Sequence, residues 1–184
     1  LLDLSRLEAA PTQFEPARIR LSEALGECHS RYRAQLEEKQ LHWQLDVAEG
    51  VPEVQVSGYL LQLVLDNLVD NAIKFTPPDG CVVLGCVSTQ GGVAIRIDDS
   101  GPGIPESERV RVLERFYQIR QGDDRVGGLG VGLSICSGVV EAPGGRVLLE
   151  LSPLCGGSLE IGDFGRPINE EATGCFHHLI LQNG

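Results

Sequence analysis

The stretch "NLVDNAIKFT", residues 67–76, puts two asparagines four apart on an apolar helix, with a lysine three further on. Asparagine is a mediocre helix former and is costly to bury, so a helix that only packs a core gains nothing from it there. At about 100° per residue, Leu60, Leu61, Val64, Leu65, Leu68, Val69, Ala72 and Ile73 cover an apolar arc of roughly 220°. Asp66 and Asp70 fall on the opposite side. Asn71 lands inside the arc, between Leu60 and Val64, with Asn67 and Lys74 within about 60° of it. A lone asparagine there reads as a satisfied polar residue at a helix edge. Three convergent polar groups bordering a core point instead to a pocket wall. A carboxamide oxygen is a hard, neutral ligand for Mg²⁺, and an ammonium beside it neutralises phosphate charge.

The flanks give this helix its setting. Ser57 is a natural N-cap, and "TPPDG" stops the helix after Phe75. "CVVLGCVS" (81–88) and "VAIRIDD" (93–99) straddle "TQGG" and read as a β-hairpin. Along the second strand Val93, Ile95, Ile97 and Asp99 share one face, so Asp99 ends an apolar row where a bare carboxylate is expensive. Either it caps the following turn or it accepts from a donor such as adenine's exocyclic amino group. Gly101 and Gly103, in "DSGPG", let backbone approach a flat ligand closely. "GGLGVGLSI" (127–135) is a second glycine cluster, feeding a helix whose N-terminal amides suit phosphate oxygens. It lacks the G-K-[ST] of a Walker loop and the strand context of a dinucleotide fingerprint.

The remaining pattern is that of one α+β domain. Residues 17–40 have amphipathic helical spacing, "LHWQLDV" alternates as a strand, and 106–116 reads as a short helix. "QIRQGDDRVGGLG" reads as a polar loop, followed by a helix in "VGLSICSGVVEA" and a strand in "GGRVLLEL". Together these predict a two-layer α/β sandwich, a mixed sheet with helices on one face. After Leu151, residues 152–173 read as an insertion before a last strand built on Phe176, Leu179 and Leu181. Alternatively "GGSLEI" is that strand and the remainder a tail.

Bulk properties set limits on function. The 184 residues are 42% hydrophobic and 22% charged, with net charge -11, which disfavours nucleic acid and anionic membranes as partners. No apolar run approaches the roughly 18 residues of a membrane span, and no signal peptide opens the chain. Six cysteines at 28, 81, 86, 136, 155 and 175 form no C-x-x-C pair and read as reduced thiols of a cytoplasmic protein. "LLDLSRLEA", opening without methionine, reads as the tail of an upstream helix in an excised fragment, so that 1–12 are linker and 13–184 the domain.

Taken in order, "NLVDNAIKFT", "DDSGPGIP", "ERFYQI" and "GGLGVGLSI" resemble the N, G1, F and G2 boxes of the GHKL superfamily, with its Bergerat ATP-binding fold. The likeness is to the catalytic domain of sensor histidine kinases and covers roughly residues 1–151. The resemblance implies ATP and Mg²⁺ as cofactors. Asn71 would ligate the metal, with Asn67 beside it facing the phosphates, and Lys74 would contact phosphate; Asn67 and Lys74 are the catalytic candidates. Asp99 would hold the adenine amino group, with Gly101, Gly103 and Ile104 beside the base. Phe116 would anchor a lid over 117–127, and Gly128, Leu129, Gly130, Val131, Gly132 and Leu133 would wrap the phosphates. Arg115, Arg120 and Arg125 are candidates for the γ-phosphate.

Position 67 also bears on the reaction. ATPase branches of this superfamily carry a water-activating glutamate there, whereas Asn67 cannot serve as a general base at neutral pH. The resemblance therefore implies transfer to an outside nucleophile. None of His29, His42, His177 or His178 sits in an acceptor motif, so the resemblance implies an acceptor on dimerisation helices upstream of Leu1. The implied partners are those helices, in a homodimeric parent, and a response-regulator receiver domain. Two departures stand out: Leu129 where the family often has Thr or Ser, and Pro143 where a His is usual. A nucleotide-binding scaffold without kinase activity, or a serine kinase of the anti-sigma type, are the alternatives.

Overall fold

The computed structural model describes residues 15–89, 92–119, 130–141, 148–151, 157–161 and 179–181. In chain order these contain β1 (Ala17–Ile19), α1 (Leu21–Glu38), β2 (His42–Val47), β3 (Val54–Val56), α2 (Gly58–Phe75), β4 (Cys81–Ser88) and β5 (Val93–Asp99). There follow α3 (Gly132–Glu141), β6 (Leu148–Leu151), β7 (Gly157–Ile161) and β8 (Leu179–Leu181). The principal sheet has the order β2-β4-β5-β7-β6, with β8 joined to the start of β5. Among the described strands only β2 and β4 run parallel; the other pairs are antiparallel, so the sheet is mixed as expected.

Register explains the core. Val82, Leu84 and Cys86 of β4 alternate onto one face and line up with Asp99, Ile97 and Ile95 of β5. These apolar residues are buried together with Leu21, Leu25, Cys28 and Leu36 of α1 and with Leu61, Val64, Leu65, Leu68, Val69, Ala72 and Ile73 of α2. The last set is the apolar arc read from the sequence without Leu60, which is half-buried. Each fully buried Leu or Val contributes on the order of 1.5–3 kcal/mol of transfer free energy. Asp99 continues that face, as the alternation requires. On the opposite face Asp98 is buried and ion-paired to Arg96 at 2.7 Å.

Two expectations are corrected. Residues 17–19 are not helical: they form β1, paired antiparallel with Val54–Val56, and α1 starts only at Leu21 after an extended Arg20. The pairing partner lies beyond α1 and β2, so no local pattern announces it. The stretch 106–116 is not a continuous helix but two 3₁₀ turns, Glu106–Glu108 and Arg111–Leu113, after which Glu114 is extended and Phe116 left-handed (φ 65°). Near the C-terminus the sheet takes both candidate strands. Gly157–Ile161, within the stretch read as an insertion, lies between β5 and β6, and Leu179–Leu181 pairs with Val93 and Ala94. The upstream-helix reading of residues 1–12, the lid arginines Arg120 and Arg125, and Pro143 lie outside the described residues.

Candidate functional site

Helix α2 carries the candidate residues Asn67, Asn71 and Lys74. Ser57 caps it as expected, its hydroxyl accepting from the Leu60 amide at 3.4 Å. The two asparagines are held differently. Asn67 donates through Nδ2 to the Leu63 carbonyl at 2.7 Å, and its Oδ1 faces the start of α3, 2.9 Å from where a Cβ on Gly132 would stand. Gly132 therefore lets the first turn of α3 rest on the Asn67 carboxamide. Asn71 is half-buried, and among the described residues no hydrogen bond engages its carboxamide. One turn on, Lys74 is half-buried too, its ammonium 4.8 Å from the centroid of the Phe75 ring, and burial pulls its pKa below the ordinary lysine value.

The turn after β5 closes on the same helix. Asp99 Oδ1 accepts from the Gly101 amide at 2.8 Å, so the turn-capping role holds alongside any ligand role. A Cβ on Gly101 would stand 2.6 Å from that oxygen and 2.9 Å from the carbonyl oxygen of Phe75. Glycine is required at 101 because the turn abuts the last residue of α2. Gly103 uses a left-handed φ of 69°, and Ile104 packs against the core. The two glycine segments thus reach α2 at Asn67 and at Phe75, about 12 Å apart along the axis at about 1.5 Å per residue. Asn71 and Lys74 lie between.

At the other end, the Phe116 amide donates to the Gly130 carbonyl at 2.8 Å, and Gly130 has φ 66°. Phe116 is 66% exposed. Val131, Gly132 and Leu133 form the entry to α3, where the Ile135 amide closes the first turn onto Val131 O at 3.0 Å. Cys136 packs α3 against α2, its thiol 3.8 Å from Val64 O, and burial pushes its pKa up to about 12. Gly128 and Leu129 lie outside the described residues, and Arg115 is exposed.

Sequence reasoning missed a cluster beside Phe116. The Tyr117 hydroxyl hydrogen-bonds Glu108, and the Arg111 guanidinium sits 4.3 Å over the Tyr117 ring. The 3₁₀ turns that bring these residues together replaced the helix expected there, so no spacing signalled it. Of the histidines, His29 stacks on Trp43 at 5.1 Å and His42 lies in β2; His177 and His178 are outside the described residues. The side of α2 that carries Asp66 and Asp70 meets α1, where Arg31 pairs with Asp66 at 2.6 Å. Burial and the Asp66 charge raise the Asp70 pKa, against a Tyr32 hydrogen bond that lowers it.

The chain matches a known family. Residues 58–176 correspond to the histidine kinase-, DNA gyrase B- and HSP90-like ATPases, and the chain belongs to that family. Within it the similar proteins are sensor histidine kinases. The chain is 34% identical to the adaptive-response sensory kinase SasA of Synechocystis sp. over 69% of its length and 33% of SasA. To the sensor histidine kinase RcsC of Escherichia coli it is 32% identical over 88% of its length and 17% of RcsC. It therefore spans a third or less of each of these two relatives. Among solved structures, the mycobacterial sensor histidine kinase MprB superposes with TM-score 0.68 at 29% identity, covering 84% of this chain and 99% of that one. Full-length ShkA in complex with AMPPNP gives TM-score 0.73 at 28% identity, over 87% of this chain and 33% of ShkA. The two-layer α+β architecture is that of histidine kinase ATP-binding domains.

Proposed function

We propose that this chain binds MgATP and delivers its γ-phosphate to a histidine on dimerisation helices upstream of Leu1, from which phosphate passes to a response-regulator aspartate. The parent is then a homodimeric sensor kinase with this domain in the cytoplasm. One observation carries the reading: Gly101 and Gly132 both lie against α2, at Phe75 and at Asn67, and so bracket the Asn71 carboxamide and the Lys74 ammonium. Within the described residues no helix is long and apolar enough to cross a membrane.

The residues fit the groups assigned to them. Asn71 offers one neutral oxygen not committed within the described residues, which suits Mg²⁺, an octahedral ion that keeps water and phosphate oxygens as its other ligands. When bound, that ion neutralises charge on the phosphates. Lys74, carrying an ammonium that burial disfavours, gains from an adjacent anion. Asp99 keeps a carboxylate at the rim of the turn for an exocyclic amino group, and the first turn of α3 offers amides to phosphate oxygens. Asn67 is held by Leu63 O and Gly132 and has no basicity to lend to water. The site then holds the terminal phosphate in place while the acceptor imidazole attacks phosphorus and the bridging oxygen leaves with ADP.

Calorimetric titration with ADP tests the binding half: wild type binds, Mg²⁺ tightens binding, and Asn71→Ala loses the Mg²⁺ increment. Restoring the upstream helices and adding labelled ATP tests the transfer half. Acid-labile, alkali-stable label is expected. Acid-stable label identifies a serine kinase, no label a scaffold, and brisk ATP hydrolysis by the chain alone contradicts the role given to Asn67.

A further inference from the structure

Lys39 belongs to none of the glycine or asparagine motifs and lies outside the residues 58–176 that match the family, yet it reaches the end of α2. Its ammonium donates to the carbonyls of Ile73 and Lys74, the second at 3.2 Å. A helix ends with four carbonyls that lack partners in the helix continuing beyond them. In α2 the Ala72 carbonyl accepts from the Thr76 amide at 3.0 Å, Lys39 takes the next two, and the Phe75 carbonyl rests against Gly101.

The turn bearing Lys39 is itself anchored. Its amide donates to Gln35 O at 3.2 Å and the Leu41 amide to Leu36 O at 2.8 Å. Gln40, left-handed at φ 60°, accepts from the Asp79 amide at 3.0 Å, and the His42 amide donates to Gly80 O at 2.8 Å. One turn therefore grips both the end of α2 and the loop that leaves it.

We infer that Lys39 is a positioning residue of the nucleotide site, a role that rests on the MgATP reading above. Lys39 fixes the carbonyl of Lys74, and through the last turn of α2 it fixes the Phe75 carbonyl on which Gly101 and the Asp99 turn sit. It also offsets the partial negative charge of the helix C-terminus, which would otherwise oppose a polyphosphate nearby. Methionine at 39 leaves two part-buried carbonyls without that donor, and the helix end then frays toward water.

A cap that only stabilises the fold leaves native-state affinity unchanged when titrations are run well below the melting midpoint, where nearly all chains are folded. The experiment is therefore an ADP titration of wild type, K39M and K39R at low temperature, with and without Mg²⁺. K39M should bind ADP about tenfold more weakly, while K39R, which keeps charge and donors, should stay within about threefold of wild type. The increment from Mg²⁺ should survive in K39M, because Asn71 lies a turn further from the helix end. A folded K39M with wild-type affinity removes Lys39's role and leaves the nucleotide reading standing. Wild type that takes up no ADP removes both. Should K39M not fold, K39Q is titrated instead: weakened binding supports the role, and wild-type affinity with a lowered melting point overturns it.

Discussion

The amide of Phe116 donates to the carbonyl of Gly130 at 2.8 Å, and both residues are left-handed, at φ 65° and 66°. Phe116 and Gly130, fourteen positions apart in the chain, are therefore joined at one hydrogen-bonded point just before α3. Gly130 can hold this conformation without strain, whereas a side chain there would put Cβ 2.5 Å from the Tyr117 carbonyl oxygen. Gly130→Ala should cost about 1–3 kcal/mol of stability from backbone strain and weaken ADP binding, as read by thermal denaturation and calorimetry. Wild-type values for both would show that the pinned pair sets nothing.

A second approach couples two helices. A Cβ on Gly132 would stand 2.9 Å from Asn67 Oδ1, and Asn67 cannot swing away without giving up its 2.7 Å bond to Leu63 O. Gly132→Ala should therefore destabilise the wild type by up to about 1 kcal/mol, yet be neutral or stabilising in an Asn67→Ala background, where alanine's helix propensity is all that remains. Strictly additive effects in the double-mutant cycle would mean that α3 does not rest on Asn67.

These two predictions mark where the sequence was legible and where it was not. Helix α2 announces itself because its apolar residues repeat at helical spacing and Ser57 and "TPPDG" punctuate it; the β4–β5 hairpin does so by alternation. Asp99 falls at the end of its strand on the core face by counting alone. In contrast, Ala17–Ile19 becomes a strand through Val54–Val56, a pairing no local window contains. Residues 106–116 have helical spacing, but Glu114 is extended and Phe116 is held by Gly130, so the chain tightens into 3₁₀ turns. Lys39 was invisible for the same reason as β1: its partners are carbonyls on another helix, and carbonyls carry no sequence signal.

Asp99 has two tasks that substitution can separate. Asparagine keeps the oxygen that accepts from the Gly101 amide at 2.8 Å, so Asp99→Asn should fold within about 1 kcal/mol of wild type. It also introduces a donor where only an acceptor stood. Adenine presents an amino group and guanine a carbonyl at the corresponding edge, so the preference for ATP over GTP should narrow by about tenfold or more. Competition titrations with the two nucleotides read this directly. An unchanged preference would place the base elsewhere.

Lys74 gives a pH signature. Burial lowers its pKa below the ordinary 10.5, so between that lowered value and 10.5 the unfolded chain holds more protons on this residue than the folded one. Its penalty on stability is thus complete below the window and relieved as pH rises through it. A phosphate alongside acts in the opposite sense: it favours the ammonium and raises the pKa again. Nucleotide binding within the window should therefore take up a proton, and affinity should fall as pH climbs toward 10.5. Calorimetry in two buffers of different ionisation enthalpy measures the uptake, and Lys74→Met should abolish both the uptake and the alkaline loss of affinity. If the mutant keeps the wild-type proton uptake, the titrating group is not Lys74 and the phosphates do not lie against it.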